Sequence, residues 1–62
     1  MIITLEDARA FDYCAPGMRR FAARNKLDWS KFIKEGLPSE VLLATGEQMA
    51  IALVEKVNEL RR

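Results

Sequence analysis

Few side chains in this sequence could do covalent chemistry. Cys14 is the one cysteine, and there is no histidine. Cys14 lies just before a predicted helix and close in sequence to Arg19 and Arg20, two features that favour a thiolate. A lone thiol beside Tyr13 and Ala15 with no base nearby is expected instead to be a small buried hydrophobe. Without histidine the chain lacks the commonest general base and the usual nucleophilic triads. The carboxylates have other work: Glu6, Asp7 and Asp28 read as helix caps, and Glu47, Glu55 and Glu59 as a solvated helix face. One cysteine and no histidine cannot supply the three or four ligands of a zinc site. Gly17, Gly36 and Gly46 are isolated and form no phosphate-cradling loop. The expectation is a protein that is not an enzyme, with no metal, no cofactor and no small-molecule substrate.

The remaining chemistry is charge. Net charge is only +1, but it is unevenly spread. Residues 16–34 hold Arg19, Arg20, Arg24, Lys26, Lys31 and Lys34 against Asp28 alone, a local +5, whereas residues 1–15 and 35–62 are each acidic by two. The molecule is dipolar, so overall charge argues neither for nor against nucleic acid. Arg19, Arg20, Arg24 and Lys26, with Trp29 and Lys31 as neighbours, are either an ordinary solvated basic face or the candidate contacts to a partner. Arginine and tryptophan are the residues that most often carry binding energy at protein interfaces.

These residues sit on predicted helices. Thr4 with Asp7 three positions later has the spacing of a capping box and starts a helix over about Leu5 to Phe11, whose inward face is Leu5, Ala8 and Phe11. A strand at Ile2–Thr4 has no evident partner and is not expected to persist. Pro16 disfavours helical geometry at Ala15, so the second helix is expected to begin at Pro16 or Gly17 and to end near Asn25 and Lys26. Met18, Phe21 and Ala22 gather on one side of it and the arginines on the other. Asp28 caps the third helix, Leu27 and Phe32 have the spacing of a hydrophobic staple, Gly36 takes the left-handed position, and Leu37 returns to Phe32 before Pro38 stops the helix. Trp29, Phe32 and Ile33 are its expected inward arc. Ser39 caps one turn over Glu40–Ala44, in which Val41, Leu42 and Leu43 are too consecutive to face solvent. Thr45-Gly46-Glu47-Gln48 repeats the capping-box spacing and starts a last helix from Gly46 to about Leu60. Its stripe of Met49, Ala50, Leu53, Val54, Val57 and Leu60 reads as the core ridge or as part of a dimer seam, with Ile51 outside it.

The fold implied is all-α, a compact bundle of four to five short helices in a single domain over residues 1–62, with the C-terminal helix as the core ridge. A chain this short buries only about 60% of its unfolded surface, so packing must be efficient or a partner must help. The longest apolar run, Met49 to Val54, falls far short of the roughly 20 residues that cross a bilayer, so no membrane association is expected. Acidic Glu6 and Asp7 stand where an export signal would carry positive charge, so no export signal is expected and a cytoplasmic location is the default expectation.

The second helix, its turn and the third helix could form a helix-turn-helix, the second of whose helices would enter the major groove. The arginines lie on the wrong helix for that role, and Asp28 would repel phosphate at the start of the right one. Nucleic-acid binding is therefore the alternative, behind binding to a protein partner or self-association.

The order Cys14, Gly17, Arg19 or Arg20, Phe21, then Leu27-Asp28-Trp29, Phe32, Gly36-Leu37 and Thr45-Gly46 resembles a group of short uncharacterised proteins encoded in tailed phages and prophages of proteobacteria. The resemblance spans about Leu5 to Val57. It implies a phage or mobile-element origin and an accessory role: particle or assembly component, transcriptional regulator, or inhibitor of a host factor. Location would then be the host cytoplasm or the virion. The group brings no established activity, so no functional residue is carried over from it.

Overall fold

In the computed structural model, which describes residues 1–61, the chain runs β1 (Ile2–Ile3), α1 (Leu5–Ala10), α2 (Ala15–Arg24), α3 (Trp29–Lys34), β2 (Leu37–Pro38), α4 (Ser39–Ala44) and α5 (Gln48–Leu60). The result is an all-α bundle of five short helices among the described residues, fastened by a two-residue antiparallel ribbon. The ribbon corrects the expectation of an unpaired first strand: Ile2 pairs with Pro38 and Ile3 with Leu37. The Ser39 N–H continues the contact by donating to the Met1 carbonyl at 2.7 Å. The pairing unites segments far apart in sequence, and no local pattern announces it.

Helix starts follow the expected chemistry at two places. The Thr4 N–H donates to Asp7 Oδ2 at 2.9 Å and the Asp7 N–H to Thr4 Oγ1 at 3.1 Å, a complete capping box. Asp28 Oδ1 accepts from the Lys31 N–H at 3.0 Å. The second helix begins one residue earlier than expected, at Ala15, with Cys14 as its cap residue. Pro16 fits there because an N–H in the first turn has no intrahelical partner to lose.

The helix ends hold more surprises. After α1, Asp12 adopts φ +67°, its N–H donates to the Arg9 carbonyl at 3.1 Å, and the Tyr13 N–H donates to the Ala8 carbonyl at 3.0 Å. After α2, Lys26 adopts φ +57°, with its N–H on the Ala23 carbonyl at 3.2 Å and the Leu27 N–H on the Ala22 carbonyl at 2.8 Å. Both are Schellman turns with a non-glycine residue in the left-handed position. The turn predicted at Gly36 is the simpler αL form. The Gly36 N–H donates to the Phe32 carbonyl at 3.0 Å, and Leu37 leaves to enter β2.

Thr45 does not cap α5. Its hydroxyl donates to the Leu42 carbonyl at 2.7 Å and accepts from the Glu47 N–H at 3.2 Å, relaying the long bond of a Schellman turn around Gly46. The last helix accordingly starts at Gln48, two residues later than the capping-box spacing suggested.

The core is built from Ile3, Ala8, Met18, Phe21, Phe32, Leu37, Leu42 and the α5 ridge Ala50, Leu53, Val54 and Val57. The α5 stripe is thus used inside the chain, mainly against α4. Leu60 departs from the expected stripe and is 68% exposed, because the helix runs past the core at its last turn. Ile33 is 52% exposed rather than inward. In the six-residue α3, Phe32 alone is fully inside, and Ile33 lies about 100° around the helix from it. Leu43 is also exposed, whereas Leu42 is buried.

Polar contacts between elements also fasten the bundle. Arg61 donates to the Ile2 carbonyl at 2.8 Å and to Asp7 Oδ2 at 2.7 Å, tying the end of α5 to β1 and α1. The Tyr13 hydroxyl donates to the Met49 carbonyl at 2.9 Å.

Candidate functional site

Helix α2 sets the geometry of the basic residues. Its buried side is Met18, Phe21 and Ala22, so Arg19, Arg20 and Arg24 all point outward. They do not form one surface. Arg24 reaches the start of α5, where Nε lies 2.8 Å from Glu47 Oε2 and a terminal nitrogen 2.6 Å from Oε1. Asn25 donates to the same Oε2 at 2.6 Å while also bonding the Phe21 carbonyl at 3.0 Å. The Arg24 and Asn25 donors hold the Glu47 carboxyl down at about 2, against its ordinary 4.5, and Glu47 in turn raises the Arg24 guanidinium. Arg24 also lies 5.9 Å from the centre of the Phe21 ring. Its charge is spent on the fold.

Arg19 and Arg20 stand apart from that pair. With Ala15, Pro16 and Trp29 they line an open cleft of about 340 Å³ between α2 and the start of α3. Among the described residues neither arginine side chain makes a hydrogen bond or ion pair, and no carboxylate lines the cleft. Trp29 is half-buried and rests on Phe32 with ring centres 5.7 Å apart. Core packing therefore fixes it, and Asp28, as the cap of α3, sets where the helix begins. The cleft thus offers two guanidiniums beside an indole held at low conformational cost.

Three of the six predicted contact residues, Arg19, Arg20 and Trp29, meet in the cleft. The other three do not. Arg24 is paired, Lys26 terminates α2 in left-handed geometry, and Lys31 is exposed on α3 but does not line the cleft. Ala15 and Pro16 were missed as cleft walls, although their spacing carried the signal: residues three and four apart share a helix face, which places Ala15 and Pro16 beside Arg19 and Arg20.

Cys14 is exposed, which corrects its reading as a buried hydrophobe. As the cap residue of α2 its side chain makes no capping bond. It lines a second open hollow with Asp12, Tyr13, Gly17, Met18 and Met49. No three His, Cys, Asp or Glu side chains among the described residues cluster as metal ligands do, and no helix among them is long and apolar enough to cross a membrane.

Comparison with family models, with curated proteins and with solved structures gives no match in any of the three.

Proposed function

We propose that this chain is a non-enzymatic binding domain that engages another protein through the cleft of Arg19, Arg20 and Trp29. The observation that carries the reading is the combination in that cleft: two arginines whose side chains have no partner among the described residues, beside a tryptophan anchored on the core. An aromatic anchor flanked by arginine is the composition of an interface hot spot. The resemblance noted in the sequence supplies the setting, that of a phage-type accessory protein in the host cytoplasm or the particle, serving as an assembly component or as an inhibitor of a host factor.

Nucleic acid is the weaker reading. A helix-turn-helix would place the N-terminus of α3 against base edges, and the Asp28 carboxylate occupies that end. Arg24, which would have extended the basic face, is committed to Glu47.

The test is affinity capture with the immobilised chain, comparing wild type with an Arg20→Glu, Trp29→Ala double variant whose circular dichroism is unchanged. A protein retained by the wild type, and lost with the double variant, is the expected result. Retention by both variants to the same degree would defeat the proposal. So would binding of DNA or RNA that collapses as salt rises and weakens on Arg20→Ala.

A further inference from the structure

The same cleft specifies the chemistry of its partner. Resting on the binding role proposed above, we infer that the cleft takes an acidic segment of a partner protein, a carboxylate lying on Arg19 and Arg20 and a neighbouring apolar side chain lying against Trp29 and Pro16.

Charge complementarity carries the choice. Among the described residues no carboxylate pairs with either guanidinium or lines the cleft, and each presents the planar fork that matches a carboxylate in two hydrogen bonds. Residues 16–34 form the one strongly positive stretch of a chain whose flanking stretches are both acidic. An acidic segment is therefore steered towards the cleft and away from the rest of the molecule. The walls add the second requirement, because Trp29, Pro16 and Ala15 offer apolar surface immediately beside the charge.

A nucleic-acid backbone fits less well. Binding to it usually rests on a track of about six to ten phosphate contacts. Here the basic track is interrupted by the Arg24–Glu47 pair. Two arginines and a tryptophan suit one or two carboxylates and a single apolar side chain.

Trp29 is the chain's one tryptophan, so its emission reports directly from the cleft. The probe is a peptide of about twelve residues with Glu on both sides of a central Leu-Phe pair, titrated at low salt beside its counterpart with Gln for every Glu. An oligothymidylate of similar length is the third probe. The expected result is a saturable change in Trp29 emission with the Glu peptide and at least about tenfold weaker binding of the Gln peptide. Arg19→Gln with Arg20→Gln should abolish the difference, and Lys31→Gln should leave it within about twofold.

Equal binding of the two peptides, or no binding of either, overturns the acidic specificity. If the peptides fail while a captured protein still depends on Arg20 and Trp29, the binding role stands and only its acidic chemistry falls. Tighter binding of the oligothymidylate than of the Glu peptide would remove both.

Discussion

Arg24 and Glu47 meet side-on across 23 positions of sequence, with two nitrogen–oxygen contacts of 2.8 and 2.6 Å. The pair joins the C-terminus of α2 to the N-terminus of α5, where each charge faces the helix end that favours it. It also removes Arg24 from the surface that Arg19 and Arg20 present.

The pair makes stability depend on pH in a defined direction. Glu47 has its carboxyl lowered from 4.5 to about 2 on folding, so the folded chain binds that proton less readily than the unfolded one. Its contribution is complete above about pH 4.5 and is lost as pH falls towards 2. Glu47→Gln should therefore melt below wild type at pH 7, with the gap closing as pH approaches 2. Thermal melts at both pH values check this, and an unchanged gap would contradict it.

The glycines separate strain from crowding. Gly46 has φ +72° with open space around it, whereas a Cβ at Gly36, φ +85°, would lie 2.7 Å from both the Ile3 carbonyl oxygen and Ile2 Cγ2. Gly46→Ala should cost about 1–2 kcal/mol, the left-handed penalty alone. Gly36→Ala should cost about 1–3 kcal/mol more, since the ribbon must shift. At about 4–8 °C per kcal/mol for a domain of this size, melting temperatures resolve the two.

Lys26 gives the opposite sign. It holds φ +57° without the freedom of glycine, so Lys26→Gly should stabilise the chain by a few tenths to about 1 kcal/mol once glycine's greater unfolded entropy is subtracted. A lower melting temperature would show that the Lys26 side chain contributes more than its backbone costs.

Cys14 should be open to reagents. An aromatic disulfide should modify one thiol in the folded chain at a rate within about tenfold of the unfolded chain, and the helical circular dichroism should persist. Modification only on unfolding would return Cys14 to the interior.

The parts of the fold that were legible in the sequence are those written locally. Thr4, Asp28 and Gly36 carry their cap and turn chemistry in their own side chains or lack of one, and the α5 stripe follows from helical period. The ends of α1 near Phe11 and of α2 near Asn25 were also legible, but the left-handed turns at Asp12 and Lys26 have no glycine to mark them. Thr45 has the spacing of an N-cap, yet its hydroxyl is taken by the end of α4. The Ile3–Leu37 pairing and the Arg24–Glu47 pair depend on where the chain returns in space, which no window of sequence contains. The candidate site divides in the same way. Arg19, Arg20 and Trp29 were readable from type and order, but the loss of Arg24 to Glu47 required the fold.

The most direct measurement is a map of amide chemical-shift changes on the isotopically labelled chain as it is titrated with the protein recovered by capture. Binding through the cleft predicts the largest changes at Ala15, Arg19, Arg20 and Trp29, with Lys31 and the outer face of α5 little affected. Changes centred on Glu55, Lys56 and Asn58, with the cleft silent, would contradict it.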